Sequence, residues 1–262
     1  MRFHIVTLFP EMFDSYLGES ILARAIKEKK IKVTFTNPRK FVTGKYRKVW
    51  PDGNVSLQVD ERPYAGGPGM VMMAEPVVKA VEGIVKKITT TPNPLLHKAG
   101  AKMLRAPKIL LINFVPEANK FTTTLAKKFS TKYTDIIMIC GRYEGIDARA
   151  EMILKKDKRI SAVEEISIGD YVLTGGEIPA MVLIDSISRQ VEGVLGNFNS
   201  REEERVSSSE VYTRPEILEY PTSHKATNGQ VKIRKYKVPA VLLSGDHKQI
   251  DAWKNKIKPN KK

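Results

Sequence analysis

Two glycine-rich blocks carry the residues best suited to chemistry: Cys140-Gly141-Arg142-Tyr143-Glu144-Gly145-Ile146-Asp147, and Ile168-Gly169-Asp170-Tyr171-Val172-Leu173-Thr174-Gly175-Gly176-Glu177-Ile178-Pro179. The first follows directly on the apolar run Ile136 to Cys140, so it is expected at the carboxyl end of a sheet, where open α/β folds bind ligands. The second sets its glycines around a short apolar segment just before an expected helix. Neither matches the GxxxxGK[ST] or GxGxxG pattern, so a nucleotide-phosphate cradle is not supported. Backbone groups in tight loops can instead read an adenine edge, while a tyrosine and apolar walls such as Ile168 and Leu173 cover its face. The same glycines would equally serve two turns that need φ > 0.

Other chemistries are poorly supplied. Cys140 is the single cysteine, which excludes an intramolecular disulfide and a thiolate cage and fits a reducing compartment, the cytoplasm. His4, His97, His224 and His247 are too dispersed to hold a metal, so no metal-ligating residues are expected. Lys and Arg number 44 against 29 Asp and Glu, a net charge of +15, which favours a polyanionic partner, nucleic acid first. Scattered lysines and the basic tail Lys258 to Lys262 would also fit a merely basic surface. Apolar runs such as Ile109 to Ile112 are far short of the roughly 20 residues that span a bilayer, so no membrane partner is expected.

The elements that must position these blocks alternate. Strands are expected at Phe3 to Phe9, Lys32 to Thr36, Ile109 to Phe114 and Asp135 to Cys140, and helices at Ser20 to Lys30, Pro76 to Lys87, Ala118 to Phe129 and Gly176 to Glu192. Such alternation predicts an α/β domain with a mostly parallel sheet over residues 1–195. Residues 196–209 are charge-dense with almost nothing to bury and read as a linker. Residues 210–262 read as a small, basic, helical domain, with a helix capped near Asp246. Arg39 to Gly69, which contains Tyr64-Ala65-Gly66-Gly67-Pro68-Gly69, and Thr89 to Pro107 read as long loops.

In chain order, RPYAGGPGM, CGRYEGID, IGDYVLTGGEIPA and VLLSGDH resemble the bacterial tRNA (guanine(37)-N1)-methyltransferases of the SPOUT superfamily. The resemblance covers nearly the whole chain, including Leu8-Phe9-Pro10-Glu11-Met12-Phe13, Tyr212-Thr213-Arg214-Pro215-Glu216 and His247 to Trp253. It implies a deep trefoil knot, S-adenosylmethionine bent inside it, a homodimer with its active site between subunits, and a tRNA anticodon loop as substrate. Carried over by residue, it puts Gly141, Tyr143 and Glu144 of the first block on the cofactor. From the second block it adds Ile168, Gly169, Asp170, Tyr171, Val172, Leu173, Gly175, Gly176 and Pro179. The strand end Asn113-Phe114-Val115-Pro116 forms a third wall.

Methylating guanine N1 requires that its proton leave and that charge gathering on O6 be stabilised, which asks for a carboxylate base and a cation or strong donor. Arg189 matches the family's catalytic arginine; without the resemblance it would read as a solvated helix charge. The family places an Asp, followed by Ser and an aromatic, in the interdomain linker. This chain has Glu202-Glu203-Glu204-Arg205-Val206 there, and Glu204 aligns with the base, reaching one methylene further. Val115-Pro116-Glu117-Ala118 stands where the family has Ser-Pro-Gln-Gly, and Trp50 to Gln58 stands as an insertion before Val59-Asp60-Glu61-Arg62-Pro63-Tyr64. The resemblance also brings Mg²⁺, with no ligand set. Two further readings fit the same residues: a SPOUT enzyme acting on another RNA position, and a non-catalytic knotted RNA-binding protein.

Overall fold

A computed structural model describes residues 1–90, 106–195, 210–221 and 233–256. The chain divides into two compact units, Met1–Gly196 and Asn197–Lys262. The first unit opens with β1 (Arg2–Val6), α1 (Asp14–Leu17), α2 (Ser20–Lys27) and β2 (Lys32–Thr36). Two small antiparallel ladders follow, β3 (Arg47–Val49) with β4 (Val55–Leu57) and β5 (Asp60–Glu61) with β6 (Val71–Met72). Then come α3 (Ala74–Thr90), β7 (Ile109–Phe114), α4 (Thr123–Lys132), β8 (Asp135–Ile139), α5 (Arg149–Leu154), β9 (Ala162–Ile166) and α6 (Glu177–Ser188).

Five strands form one sheet in the order β2-β1-β8-β7-β9, and every pairing in it is parallel. A parallel sheet is covered on both faces, which is why β7 and β8 are nearly continuous apolar runs. Alternation along each strand then divides them between two cores. Phe3, Ile5, Leu110, Ile112, Ile136 and Met138 join Phe13, Leu22, Phe129 and Leu183 on one side. Val6, Ile109, Leu111, Ile137 and Ile139 join Val77, Val81, Ile84 and Leu154 on the other. The result is a helix–sheet–helix sandwich, as the alternation of elements predicts. No helix of the described residues is long and apolar enough to cross a membrane.

One polar cluster lies inside this sandwich, at the amino ends of β1 and β8, where Arg2 and Asp135 are register partners. Asp135 is fully buried and accepts from Arg2 Nη2 at 2.9 Å and Thr134 Oγ1 at 2.7 Å, with His4 Nε2 2.9 Å from its other oxygen. Burial alone would raise its pKa. The hydrogen bonds from His4, Arg2 and Thr134, together with the Arg2 charge, outweigh burial and hold the carboxyl below its ordinary value.

The structure departs from the sequence expectations where local signals were weak. The helix expected from Ala118 begins at Thr123, because the Thr122 hydroxyl caps it by accepting from Leu125 N at 3.3 Å. The preceding residues instead bond to the chain beyond β9, with Phe121 N donating to Ser167 O at 2.7 Å. The edge strand β9, half polar as Ala-Val-Glu-Glu-Ile, was not expected at all. Arg39 to Gly69 is not a plain loop but holds β3, β4 and β5. Most of Thr89 to Pro107, and the linker 196–209, lie outside the described residues.

The second unit was expected to be helical and is mixed. An antiparallel pair, β10 (Ile217–Pro221) with β11 (Ile233–Lys237), precedes α7 (Ala240–Leu243) and α8 (His247–Lys256). Cross-strand partners explain the pair: Glu219 faces Lys235 with their charges 2.7 Å apart, and Leu218 faces Tyr236. Asp246 caps α8 as its type predicts, accepting from Lys248 N at 3.0 Å.

Candidate functional site

The carboxyl ends of β7, β8 and β9 open into a cavity of about 470 Å³. Each wall is the loop that leaves one of these strands: Val115–Pro116 after β7, Gly141–Asp147 after β8, and Ser167–Gly176 after β9. Backbone hydrogen bonds tie the walls together. Val115 N donates to Ile166 O at 3.1 Å, Ser167 N to Asn119 O at 3.1 Å, and Gly176 N to Gly141 O at 3.0 Å. The segment 167–176 is therefore held on both flanks.

The glycines of the second block resolve the choice left open by sequence. Gly169, Gly175 and Gly176 do not have positive φ; they permit close approach instead. A Cβ on Gly176 would lie 2.6 Å from Cys140 Cα and 3.1 Å from Gly141 N, so only glycine lets the two blocks touch. In the first block the left-handed positions are Tyr143 (φ 60) and Gly145 (φ 127). That turn is held from outside by β6 and its approach, with Glu144 N donating to Met70 O and Met72 N to Gly145 O, both at 2.9 Å. Here the glycine loop Tyr64 to Gly69 reaches the cavity rim: a Cβ on Gly69 would lie 2.5 Å from Glu144 Oε1.

All the expected cofactor residues line this cavity except Asp170, which is exposed beside it. From the strand end come Asn113, Phe114, Val115 and Pro116, and from the blocks Gly141, Tyr143, Glu144, Ile168, Gly169, Tyr171, Val172, Leu173, Gly175, Gly176 and Pro179. Concave, largely backbone-walled sites of this volume suit one small organic ligand. A sequence model of the family described as tRNA (Guanine-1)-methyltransferase TrmD matches residues 1–262. The chain belongs to this family.

Individual relatives agree. A tRNA (guanine-N(1)-)-methyltransferase of Clostridioides difficile is 41% identical over 254 residues, covering 97% of this chain and 90% of that protein. That of Carboxydothermus hydrogenoformans is 41% identical over 256 residues, covering 98% of this chain and 82% of its own. A third, from Pseudoalteromonas atlantica, is 38% identical over 258 residues, covering 97% and 78%.

Within the family frame, one supporting group escaped the sequence reading. Glu177, at the first position of α6, is 1% exposed, accepts from Thr7 Oγ1 at 2.8 Å and lies 3.0 Å from Arg142 Nη2. Arg142 also stacks over the Phe9 ring, 4.7 Å from its centroid, and donates to Thr174 O at 3.3 Å. This buried ion pair joins the first block, the second block and the end of β1. An acid opening a helix whose first two turns are otherwise apolar was its only sequence signal. The neighbouring Cys140 thiol is pushed well up by burial, which makes it a poor nucleophile at neutral pH.

Two carboxyls lining the cavity, Glu151 and the exposed Glu165, were also not foreseen. Glu165 is raised by burial and by Glu151, which in turn pairs with Lys155 at 2.5 Å. Tyr143 is raised by burial and by the Asp60 carboxylate.

The expected catalytic arginine does not share this cavity. Arg189 caps the far end of α6, about 20 Å along the axis from Gly176 at 1.5 Å per residue. It lines a separate hollow of about 260 Å³ with Ser15, Tyr16, Glu19 and Asp185. Tyr16 donates its hydroxyl to Asp185, and that bond pushes the phenol up to about 12. Glu204, the expected base, lies outside the described residues. Among the described residues no group of three or more His, Cys, Asp or Glu side chains converges to hold a metal.

Proposed function

We propose that this chain transfers a methyl group from S-adenosylmethionine to N1 of guanine at position 37 of tRNA, beside the anticodon. The observation that carries the reading is the three-loop cavity at the carboxyl ends of β7, β8 and β9, in a chain of the tRNA (guanine-1)-methyltransferase family. Bound there, S-adenosylmethionine supplies an electrophilic methyl on a sulfonium. Glycines 169, 175 and 176 bring backbone to within contact of the ligand, and Phe114, Ile168 and Leu173 shield it from water. A Cβ on Gly176 would strike Cys140 Cα, so the glycines keep the loops that wall the cavity packed against one another and leave backbone groups to line it. Residues 167–176 are tethered to Asn119–Phe121 on one side and Gly141 on the other, and the resemblance implies a deep trefoil knot at these loops.

In this reading Glu204 takes the N1 proton as general base and Arg189 stabilises charge on O6. The distance of Arg189 from the cavity of its own chain supports a homodimer, in which the arginine of one subunit serves the other's cavity. Ile178 and Val182, 48% and 41% exposed on the α6 face that leads to Arg189, would be covered there. The net charge of +15 supplies phosphate contacts for tRNA, and the reading places the protein in the cytoplasm. The resemblance also implies Mg²⁺, and among the described residues no group of three or more His, Cys, Asp or Glu side chains converges to hold it.

The test is methyl transfer from labelled S-adenosylmethionine to tRNA carrying guanine or adenine at position 37. Transfer to the guanine form alone is expected, and none to that form overturns the reading. Glu204→Gln is expected to lower kcat by about 10²- to 10⁴-fold with cofactor affinity intact, and Arg189→Ala by about 10²- to 10³-fold.

A further inference from the structure

The Trp50 to Gln58 insertion folds into a hairpin with nothing to do in the cofactor site. Trp50 N donates to Asn54 O at 2.8 Å and Gly53 N to Trp50 O at 2.9 Å, which closes a three-residue loop. Pro51 presets the first turn position, and Gly53, at φ 82, takes the left-handed one. Asp52 locks the turn by accepting from Asn54 N at 3.0 Å and Nδ2 at 2.7 Å. At the other end, Tyr46 and Leu57 pack on the core, so the hairpin is anchored at its base and rigid at its tip.

What it presents is an aromatic ring among cations. Trp50 is 54% exposed, although a large apolar side chain normally gains by burial. Residues 39–51 carry five cations, Lys45, Arg47 and Lys48 among them, and no acid. Strand alternation puts Lys48 and Trp50 on one face, opposite the face on which Leu57 meets the core. An exposed ring flanked by cations matches the chemistry of an RNA strand, with the ring on a base and the cations on phosphates. The hairpin is also tied to the site: Trp50 is ten Cα steps from Asp60 of β5, whose partner β6 bridges to Tyr143 on the cavity rim. That is at most about 36 Å of chain.

We propose that this hairpin is a second RNA-docking element, on which Trp50 stacks against an unpaired base of the substrate tRNA while Lys45 and Lys48 contact flanking phosphates. The proposal rests on the tRNA-methylating reading above. It goes beyond it by assigning RNA contact to a segment that no step of methyl transfer requires.

The experiment uses the full chain and unmodified tRNA. Trp50→Ala is expected to raise the KM for tRNA roughly 5-fold or more, the lower end of a lost base–aromatic stack, with kcat and S-adenosylmethionine affinity unchanged. Trp50→Phe should restore most of the loss, because a stacking ring returns. Lys48→Ala should lower the slope of log K against log salt by about 0.7 to 0.9. In a Trp253→Phe background Trp50 is the one remaining tryptophan, and tRNA should quench it. A KM within twofold of wild type for Trp50→Ala, with no quenching, overturns the proposal. So does a change in sedimentation of Trp50→Ala with unchanged tRNA affinity, which would assign the hairpin to self-association. Quenching by tRNA in a protein that transfers no methyl group would instead overturn the catalytic reading and leave the hairpin as an RNA contact.

Discussion

Gly176→Ala adds a single methyl group where the two glycine blocks meet. Its Cβ would lie 2.6 Å from Cys140 Cα and 3.1 Å from both Gly141 N and Phe114 Cδ2. Carbon atoms pack best at about 3.5 to 4.0 Å, so the loops must part by about 1 Å. Cys140 cannot retreat: it is fully buried, and its N–H is held by Val6 O at 2.9 Å. The start of α6 must therefore move outward, and the Gly141 O to Gly176 N bond at 3.0 Å stretches with it. Overpacking of this kind costs about 1 to 3 kcal/mol, which at about 2 to 4 °C per kcal/mol lowers Tm by roughly 2 to 12 °C. Because Gly141, Gly175 and Pro179 line the same cavity, a displacement of about 1 Å should cost about 10²-fold in turnover.

The assay pairs thermal unfolding with calorimetric titration of S-adenosylmethionine, and Gly83→Ala is the control. There the same methyl group meets only the Phe41 ring, at 3.7 Å, inside α3. It should stabilise by up to about 1 kcal/mol through helix propensity. If Gly176→Ala kept both its Tm and its cofactor affinity at wild-type values, the claim that backbone contact between the blocks builds the site would be refuted.

Removing the Arg142 guanidinium leaves the 1%-exposed Glu177 without its ion-pair partner. Arg142→Ala should therefore cost about 3 to 5 kcal/mol of unfolding free energy, read from urea denaturation, and adding Glu177→Gln should recover part of that; no recovery would show that the loss is not electrostatic. Asp135 has a pKa depressed in the folded state. Its stabilisation is fully present above the unfolded value of about 3.9 and is lost as pH falls through the native one. Asp135→Asn should flatten the fall in denaturant midpoint between pH 5 and pH 3, and an unchanged slope would remove this cluster from the acid response.

Much of the site could be read from the chain alone, because its signals are local. The runs Ile109 to Phe114 and Asp135 to Ile139 are apolar at every step since a parallel sheet buries both faces, and the blocks that follow them inevitably sit at strand ends. The walls of the cavity followed from that, with Asp170 alone on the wrong side of its loop. Turn chemistry was equally local in Pro51-Asp52-Gly53-Asn54, which encodes the hairpin between β3 and β4.

Other features depend on which strands become neighbours, which no periodicity encodes. The half-polar β9 is recognisable only once β7 offers it an edge, with Leu110 opposite Ala162 and Phe114 opposite Ile166. The second block's glycines looked like turn residues until the packing of Gly176 on Cys140 showed that closeness, not φ, selects them. Thr7, Arg142 and Glu177 lie far apart in the chain and form one buried group only because β1, β8 and α6 converge. The same tertiary geometry separates Arg189 from the cavity. Residue type and spacing determined which segments stand at strand ends; the order of strands in the sheet decided which residues surround the cavity, because burial and ion pairing act through space rather than along the chain.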